Sequence, residues 1–509
     1  MTVQRRKILL ANTLANAIGQ LTGPLLSFLL VPLYIHYLGL ESYGLIGFFA
    51  ALQLVLAIFS QGISLALQRE LARRLADPKQ AATSRRLTRT FEVLYGTIGL
   101  MCAAVIASAS GAIARHWVTL EQVNAPTVAL ALTFLALKIA AYFLYGLYQS
   151  IFIGSERQVL GNLVTVAGSL VHAAAGAAAA IATRNIAVLC AAEAAASVAL
   201  VVAQRIAAHS ILPAEENGPR FEWSELKRLW GLSAGLIWTS GTGVLITQMD
   251  RILLAKWVPA TMLAVYNAGS AGGKLASLVY TPFLTAIYPE TCKVVASAEP
   301  AEITRHVLRN AKIVAALCMS FGLYLCFFSP EVLRFWTRND QIAREGAAVM
   351  SIYLIGCVAQ AYASVFYILM VAKGFVHWPA WINAFSLVWY PFALAGLTAS
   401  WGLAGAAASW LAYCGLTLIL LATASFRHHL DRFAWIRYLH LLGWSSITGA
   451  CLMLAARAAA HVLNVDSPLS RLVIGAPFAM AAFIVLMIGA LGWSATKQRV
   501  LSFVKRRHE

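Results

Sequence analysis

Two lysines, Lys138 and Lys274, lie near the middle of long runs of apolar residues. A run of about 20 apolar residues has the length needed to span the hydrocarbon core of a membrane. A lysine at the centre of a span costs about 2.5–3.5 kcal/mol on insertion scales, so we expect it to face water or an anionic partner. Glu193 and Asp250 are the only carboxylates well inside the runs, and neither is an evident partner for the lysines. The lysines therefore predict a site for an anionic group and disfavour an organic cation.

Polar residues accompany the lysines in steps of three and four, which place them on shared helix faces. Polar faces inside a membrane usually line a protein interior or a wet cavity. Tyrosines on these faces could stack on sugar rings, and packing in an aromatic core is an open alternative for them. For the serines the open alternative is packing between helices. The polar positions of the first two runs, Asn16, Gln20 and Gln53, extend the set. The candidate substrate-binding residues are Lys274, Lys138, Asn16, Gln20, Gln53, Ser270, Ser277, Tyr142 and Tyr145.

A second candidate site is the adjacent pair Asp250 and Arg251, near the end of the apolar run 229–255. The pair lies roughly 8 Å from that end, so Arg251 can extend its charged head to the interface. Neighbouring helical residues point about 100° apart and need not pair with each other. We predict an outer gate or a contact between lobes, and a helix end reaching for water stays open. His172, in the middle of another run, could carry protons or be a hydrogen-bonded structural histidine.

The elements that must position these residues are membrane-spanning helices. The chain of 509 residues is 60% hydrophobic and 12% charged, which is more apolar than a soluble fold can bury. The sequence therefore predicts an all-α polytopic membrane protein. Seven of the eight cysteines lie within apolar runs and none has metal-ligand spacing, so neither disulfides nor a metal or other cofactor is predicted. Fourteen runs are long enough to span, at residues 8–35, 45–66, 91–113, 126–153, 159–182, 186–204, 229–255, 259–289, 311–329, 347–372, 378–399, 402–425, 438–460 and 472–493.

The net charge of +18 follows the predicted topology. Of the 39 basic residues, 28 fall on the loops and tails of one side and nine on the other, with Lys138 and Lys274 between. Such a bias places both termini in the cytoplasm. It also predicts contact with anionic membrane lipids and argues against nucleic acid as a partner. The basic segment 69–89 is predicted to be helical and solvated, in preference to a partner-binding role.

An internal repeat is indicated by three weak matches at nearly one offset. "GSERQVLGN" from Gly154 and "GFVHWPAWIN" from Gly374 have glycines 220 residues apart, and Tyr43 and Tyr266 are 223 apart. The Gly/Ala-rich runs that open predicted helices 6 and 12 are about 217 residues apart. Repeats of this kind are common in transporters, with the substrate site at the repeat interface. The predicted divisions are a lobe of helices 1–6 at 1–208, a cytoplasmic linker and interfacial segment at 209–228, a lobe of helices 7–12 at 229–426, and helices 13–14 with a basic tail at 427–509.

The sequence contains the stretches "LGLESYG", "GISLALQRELA", "MDRILLAKWVPATMLAVYNAG" and "IYPE". They resemble the O-antigen type of polysaccharide flippase, in the multidrug/oligosaccharidyl-lipid/polysaccharide exporter superfamily. The resemblance implies two six-helix bundles around a cavity lined by helices 1, 2, 7 and 8. It also implies alternating access that moves an undecaprenyl-pyrophosphate-linked oligosaccharide, an O-antigen or exopolysaccharide repeat unit, from the cytoplasmic to the periplasmic leaflet of a bacterial inner membrane. A polysaccharide polymerase or export machinery is then an expected partner, and a monomer is sufficient.

Two other classes of protein remain as alternatives. A multidrug or cation antiporter of the same superfamily is expected to carry carboxylates near the midplane, where this sequence has lysines. An integral-membrane glycosyltransferase or polymerase also handles lipid-linked sugars. Such an enzyme generally needs a large loop outside the membrane or a cluster of carboxylates, and the outer loops here are short and lack paired carboxylates. The sequence therefore favours a transporter over an enzyme.

Overall fold

The computed structural model describes residues 3–81, 83–213, 221–375, 377–431, 433–463, 465 and 467–491. Regular structure in these residues is helical, apart from an isolated bridge between Thr119 and Pro259. A π-helical turn, Ile113–Trp117, continues the fourth helix. The helices are α1 Val3–Leu56, α2 Ile58–Leu75, α3 Pro78–Ala81, α4 Ser84–Ala112, α5 Ala125–Gly154, α6 Gln158–Thr183, α7 Ile186–Ile211, α8 Trp223–Trp257, α9 Ala260–Ser297, α10 Pro300–Phe327, α11 Ser329–Thr337, α12 Asp340–Ala372, α13 His377–His428, α14 Ala434–Val462 and α15 Pro468–Leu491.

Where the structure describes them, the fourteen apolar runs lie mainly on helical residues. The ranges α1 and α13 each comprise two helices joined at a glycine kink, and the kink separates one apolar run from the next. The bends are at Gly39 in α1, with φ 83°, and at Gly402 in α13, with φ 59°, a backbone region that other residues rarely adopt. Ten helical segments of the described chain are long and apolar enough to cross a membrane. The predicted all-α polytopic membrane fold is confirmed.

The chain forms two compact units, Met1–Ala264 and Val265–Glu509. In the first unit α5 packs against α4, α7 and α2, and α8 packs against α1 and α2. In the second unit α12 packs against α13, α10 and α11, while α14 and α15 pack on α10. Aromatic side chains such as Tyr148 and Phe366 fill the two interiors. The predicted divisions at 208, 228 and 426 remain a prediction.

Two unusual backbone positions recur at a single spacing along the chain. Glu156 follows α5 with φ 58°, and Gly374 follows α12 with φ 83°. The hydrogen bonds match as well, since Arg157 N–H reaches Phe152 O across five residues and Phe375 N–H reaches Met370 O. Arg184 after α6, with φ 52°, corresponds to Gly402 in α13. The two members of each pair are 218 residues apart. This spacing supports the internal repeat and gives it an offset of 218 residues, two fewer than the offset from the glycine match.

The described residues of the basic segment 69–89 are mainly helical, but the expectation that the segment is solvated is wrong for Arg74 and incomplete for Arg86. Arg74 is only 3% exposed. Its guanidinium donates to both oxygens of Glu225 in α8, at 2.6 and 2.7 Å, and to Glu70, at 2.9 Å. Arg86 pairs with Glu222 at 2.7 Å. Arg74 and Arg86 of this segment therefore anchor the start of α8 through ion pairs.

Candidate functional site

Lys138 on α5 forms an ion pair inside the first unit. Its Nζ lies 2.7 Å from Glu193 Oε2 on α7. Tyr34 donates its hydroxyl to the other carboxylate oxygen at 3.5 Å, and His172 Nε2 lies 3.7 Å from Oε2. The sequence alone did not make Glu193 an evident partner for Lys138, because it does not reveal that α5 and α7 pack side by side. The lysine side chain is 20% exposed and the glutamate 13%.

A glycine on α6 makes this cluster possible. A Cβ on Gly176 would lie 2.7 Å from the Tyr34 hydroxyl and 3.3 Å from Glu193 Oε1. The absence of that Cβ lets α6 approach closely enough to place His172 beside the carboxylate. An isolated charge in a medium of low dielectric constant is costly, and a well-placed partner with further hydrogen bonds reduces that cost. We call Lys138, Glu193, His172 and Tyr34 the Lys138 cluster.

Tyr142 and Tyr145 follow Lys138 along α5. Their rings stack, with centroids 5.8 Å apart and planes inclined by 24°. Both side chains are half-buried. The structure therefore brings three predicted residues together on one helix and leaves two stacked aromatic rings beside the Lys138 cluster.

Lys274 on α9 belongs to the second unit and lies over an aromatic ring of α12. Its Nζ is 5.6 Å from the centroid of Tyr353, within the range of a cation–π interaction. Tyr353 in turn stacks on Trp410, with centroids 5.0 Å apart and planes inclined by 6°. A Cβ on Gly273 would lie 3.1 Å from the Tyr353 ring, so this glycine lets α9 rest closely on α12. The lysine side chain is half-buried and held at the face of the ring.

The two predicted serines near Lys274 bond to their own helix. Ser270 is fully buried and donates to Asn267 O at 3.2 Å, while half-buried Ser277 donates to Lys274 O at 2.6 Å. Such bonds satisfy a hydroxyl inside a helix bundle. This geometry favours the packing interpretation for Ser270, and it leaves Ser277 with a partly accessible hydroxyl oxygen.

The three polar residues of α1 that were predicted to bind substrate differ in their surroundings. Asn16 donates to Gln158 Oε1 and accepts from Asn162 Nδ2 at 2.6 Å, so its amide joins α1 to α6. Gln53 is half-buried. The side chain of Gln20 lies outside the described residues. The role of all three in substrate binding remains a prediction, and for Asn16 the observed bonds favour a structural contact.

Asp250 and Arg251 lie on α8, six or seven residues before its last residue. Asp250 is 1% exposed, and its Oδ1 accepts the backbone N–H of Arg251 at 2.8 Å. Arg251 is half-buried and donates from Nη1 to Gln248 Oε1 at 3.3 Å. A helix end reaching for water does not account for so deeply buried a carboxylate. The gate role of the pair remains a prediction.

Glu41 is the residue that sequence reasoning missed. It is 3% exposed, and its carboxylate accepts three successive backbone N–H groups, from Glu121, Gln122 and Val123, at 2.7, 2.7 and 2.9 Å. Charge-assisted bonds of this kind are among the stronger hydrogen bonds in proteins. The feature of the sequence that could have indicated this residue is its position in "LGLESYG", where an acidic residue follows Gly39 by two positions.

The same end of the first unit is tied together by close backbone contacts. Ala260 N–H donates to Thr119 O at 3.0 Å, and Trp117 Nε1 donates to Ile252 O at 3.0 Å. A Cβ on Gly44 would lie 1.9 Å from Ala260 O, so no other residue fits there without movement. We call this arrangement the Glu41 closure; it comprises Glu41, Gly44, 117–123 and 252–261. It joins the α1 bend, the loop before α5 and the junction of α8 with α9.

A polytopic helical fold with charged clusters within its spans is typical of a membrane transporter. The structure is similar to a lipid II flippase, MurJ, in an inward closed conformation, with a TM-score of 0.72 and 11% identity over 94% of this chain and 98% of that one. It is also similar to an inward-facing multidrug resistance MATE family transporter of the MOP superfamily, with a TM-score of 0.65 and 11% identity over 85% of this chain and 99% of that one. These likenesses establish the fold.

The family follows from the sequence match. Residues 9–294, more than half of the chain, match the family described as "Polysaccharide biosynthesis protein", and the chain belongs to that family. A Shigella flexneri protein described as an O-antigen transporter is 22% identical over 404 residues, which are 79% of this chain and 94% of that protein. The family match confirms the predicted polysaccharide class of the chain, and the two solved structures bear out its predicted fold.

Replacing Glu41 with Gln should loosen the Glu41 closure. The amide keeps the shape but removes the charge that strengthens three hydrogen bonds, and charged bonds are worth about 1.5–3 kcal/mol each. We expect backbone amides 121–123 to exchange with deuterium roughly tenfold faster or more, measured by mass spectrometry on the full chain. Glu345→Gln, an exposed carboxylate on α12, is the matched control and should leave these amides unchanged. Unaltered protection in Glu41→Gln would contradict the closure.

Separating the Lys138 pair should cost more than removing it. Lys138→Met or Glu193→Leu leaves one buried charge alone, and breaking a buried pair costs about 3–5 kcal/mol. The double variant removes both charges and should recover most of that loss. Thermal unfolding of the four purified proteins measures the coupling. Simple additivity of the two single losses would show that the pair contributes nothing of its own.

Proposed function

We propose that the protein moves an undecaprenyl-pyrophosphate-linked oligosaccharide, an O-antigen or exopolysaccharide repeat unit, from the cytoplasmic to the periplasmic leaflet by alternating access. The observation that carries this proposal is Lys274, a cation held over Tyr353 in the middle of α9. The family match and the relative described as an O-antigen transporter support the substrate class.

The chemistry of the substrate explains the need for the lysine. A pyrophosphate group carries negative charge that loses its hydration on entering the membrane interior. A cation a few ångströms away offsets much of that loss, because Coulomb energies rise as the effective dielectric constant falls. The isoprenoid chain can remain in the bilayer while the sugars cross in a wet cavity. Stacked Tyr142 and Tyr145 offer flat apolar rings on which a sugar can rest.

Lys138 takes a second role in this proposal. In the structure its charge is matched by Glu193, so a substrate phosphate has to compete with that carboxylate. We infer that Lys138 exchanges its partner when the phosphate arrives, whereas Lys274 supplies the first contact.

The Glu41 closure is, in this account, the outer gate. The positive-inside bias supports cytoplasmic termini, and the family supports a bacterial inner membrane. On that topology the α1 bend and the start of α9 lie on the periplasmic side. Asp250 and Arg251 lie on the segment of α8 that leads to this gate. Contact with a polysaccharide polymerase or export machinery, and action as a monomer, complete the proposal.

A cation antiporter is the second candidate, and one observation favours it. Glu193 is a carboxylate buried within a span, near His172, as coupling to protons would require. The pairing of Glu193 with Lys138 counts against an open cation site. Transport of organic cations by the wild-type protein, without transport of lipid-linked oligosaccharide, would favour this candidate.

Removing the charge of Lys274 should impair export of the polysaccharide. In a strain that depends on this protein, Lys274→Gln should lower surface polysaccharide about tenfold or more, and Lys274→Arg should retain a substantial part, because a cation remains over Tyr353. Lys293→Gln, an exposed lysine on the same helix, is the control and should behave as wild type. Surface polysaccharide is measured by gel and by antibody, with equal protein in the membrane verified. Normal export by Lys274→Gln would remove this lysine from the mechanism.

A further inference from the structure

A groove of about 810 Å³ opens in the second unit between α9, α10, α14 and α15. Its volume lies within the range of roughly 300–1,000 Å³ that is usual for small-molecule sites. The groove is away from Lys274 and Tyr353, neither of which lines it. Nothing in the proposed transport function requires it.

One end of the groove is basic. Arg305, Arg309 and Lys312 line it from α10, at steps of four and three that place them on one face. Arg437 lines it from the first turn of α14. We call these four residues the basic rim. The N-terminal ends of α10 and α14 contribute the positive ends of two helix dipoles to the same region.

The basic rim is only partly neutralised. Two carboxylates also line the groove, Glu290 and Glu302, against the four cations. Glu290 pairs with Arg309 at 2.7 Å, and Asp431, which does not line the groove, pairs with Arg437 at 3.5 Å. Arg305 and Lys312 form no ion pair with any residue that the structure describes. Two cations are thus left for an anionic ligand.

The deeper part of the groove is apolar. Leu441 and Trp444 line it from α14, and Leu486 lines it from α15. Trp444 is 65% exposed and lies seven residues along α14 from Arg437, about 10 Å deeper at 1.5 Å per residue. Gly489 on α15 leaves open space, since a Cβ there would meet nothing within 4 Å. Charge along one face of α10 and at the start of α14, beside the apolar surface of α14 and α15, matches the phosphate and the acyl chain of a membrane lipid.

We propose that this groove binds an anionic phospholipid of the surrounding membrane. Its phosphate contacts Arg305 and Lys312, and an acyl chain lies against Trp444 and Leu486. Basic pockets between membrane helices are known to hold such head groups. A free phosphate ion would leave the apolar part uncovered, and a zwitterionic lipid would leave the two cations unmatched. The two cations without an ion pair, Arg305 and Lys312, favour a lipid with two phosphates over a lipid with one.

Native mass spectrometry of the full-length protein in detergent tests the proposal, with phosphatidylglycerol, cardiolipin and phosphatidylcholine as probes. Wild type should bind cardiolipin most tightly and phosphatidylcholine at least tenfold more weakly. Each cation near the membrane surface is worth about fivefold in affinity, so Arg305→Gln with Lys312→Gln should weaken cardiolipin binding about 25-fold. Gly489→Leu, which fills the groove without changing charge, should also weaken it.

The control and the competing ligands make the test decisive. Arg344→Gln removes one exposed charge on α12, outside the groove, and should leave binding unchanged. Equal binding of phosphatidylcholine, or an equal loss in Arg344→Gln, would overturn the proposal. Displacement of cardiolipin by inorganic phosphate, or by lower concentrations of farnesyl pyrophosphate than of phosphatidylglycerol, would also overturn it, and would assign the groove to a free anion or to the transported lipid. None of these results depends on whether the protein exports polysaccharide.

Discussion

A charge inside a membrane protein must be matched, and much of this structure is arranged around that constraint. In the first unit Lys138 meets Glu193 within the spans, and Arg74 meets Glu225 where α8 begins. In the second unit buried Glu331 accepts from Arg457 of α14 at 2.8 Å. Each pair joins helices that are distant in the sequence, so satisfying the charges also determines which helices become neighbours. The proposed transport site depends on the same physics, since a substrate phosphate needs a cation in the same low-dielectric interior.

The Glu41 closure shows the same rule applied to backbone groups. A carboxylate satisfies three N–H groups of the loop before α5, and Gly44 provides the space for Ala260 to approach. Charge-assisted bonds combined with close packing can hold one state firmly and still break together. A gate needs both properties, which is why we propose the closure, rather than Asp250 and Arg251 alone, as the outer gate.

The sequence predicted the fold well, because spans depend on local apolar composition. It identified every apolar run that became helical and two lysines that lie within spans. It failed where the outcome depends on which helices pack together. The pairing of Lys138 with Glu193 spans 55 residues, that of Arg74 with Glu225 spans 151, and the bonds from 121–123 to Glu41 span about 80. A pattern within one helix cannot reveal contacts between residues so far apart in the sequence. Lys274 over Tyr353 is another case, since the sequence shows the lysine but not the ring that it meets.

The central claim is that the protein translocates an anionic lipid-linked oligosaccharide. Reconstitution of the purified wild-type protein in vesicles tests it most directly, with a fluorescent oligosaccharide carried on undecaprenyl pyrophosphate and the same oligosaccharide on a neutral isoprenoid linker. The account predicts that the pyrophosphate-linked substrate reaches the opposite leaflet at least tenfold faster than in empty vesicles, while the neutral analogue does not. Equal movement of both compounds, or movement of neither while organic cations cross, would contradict it.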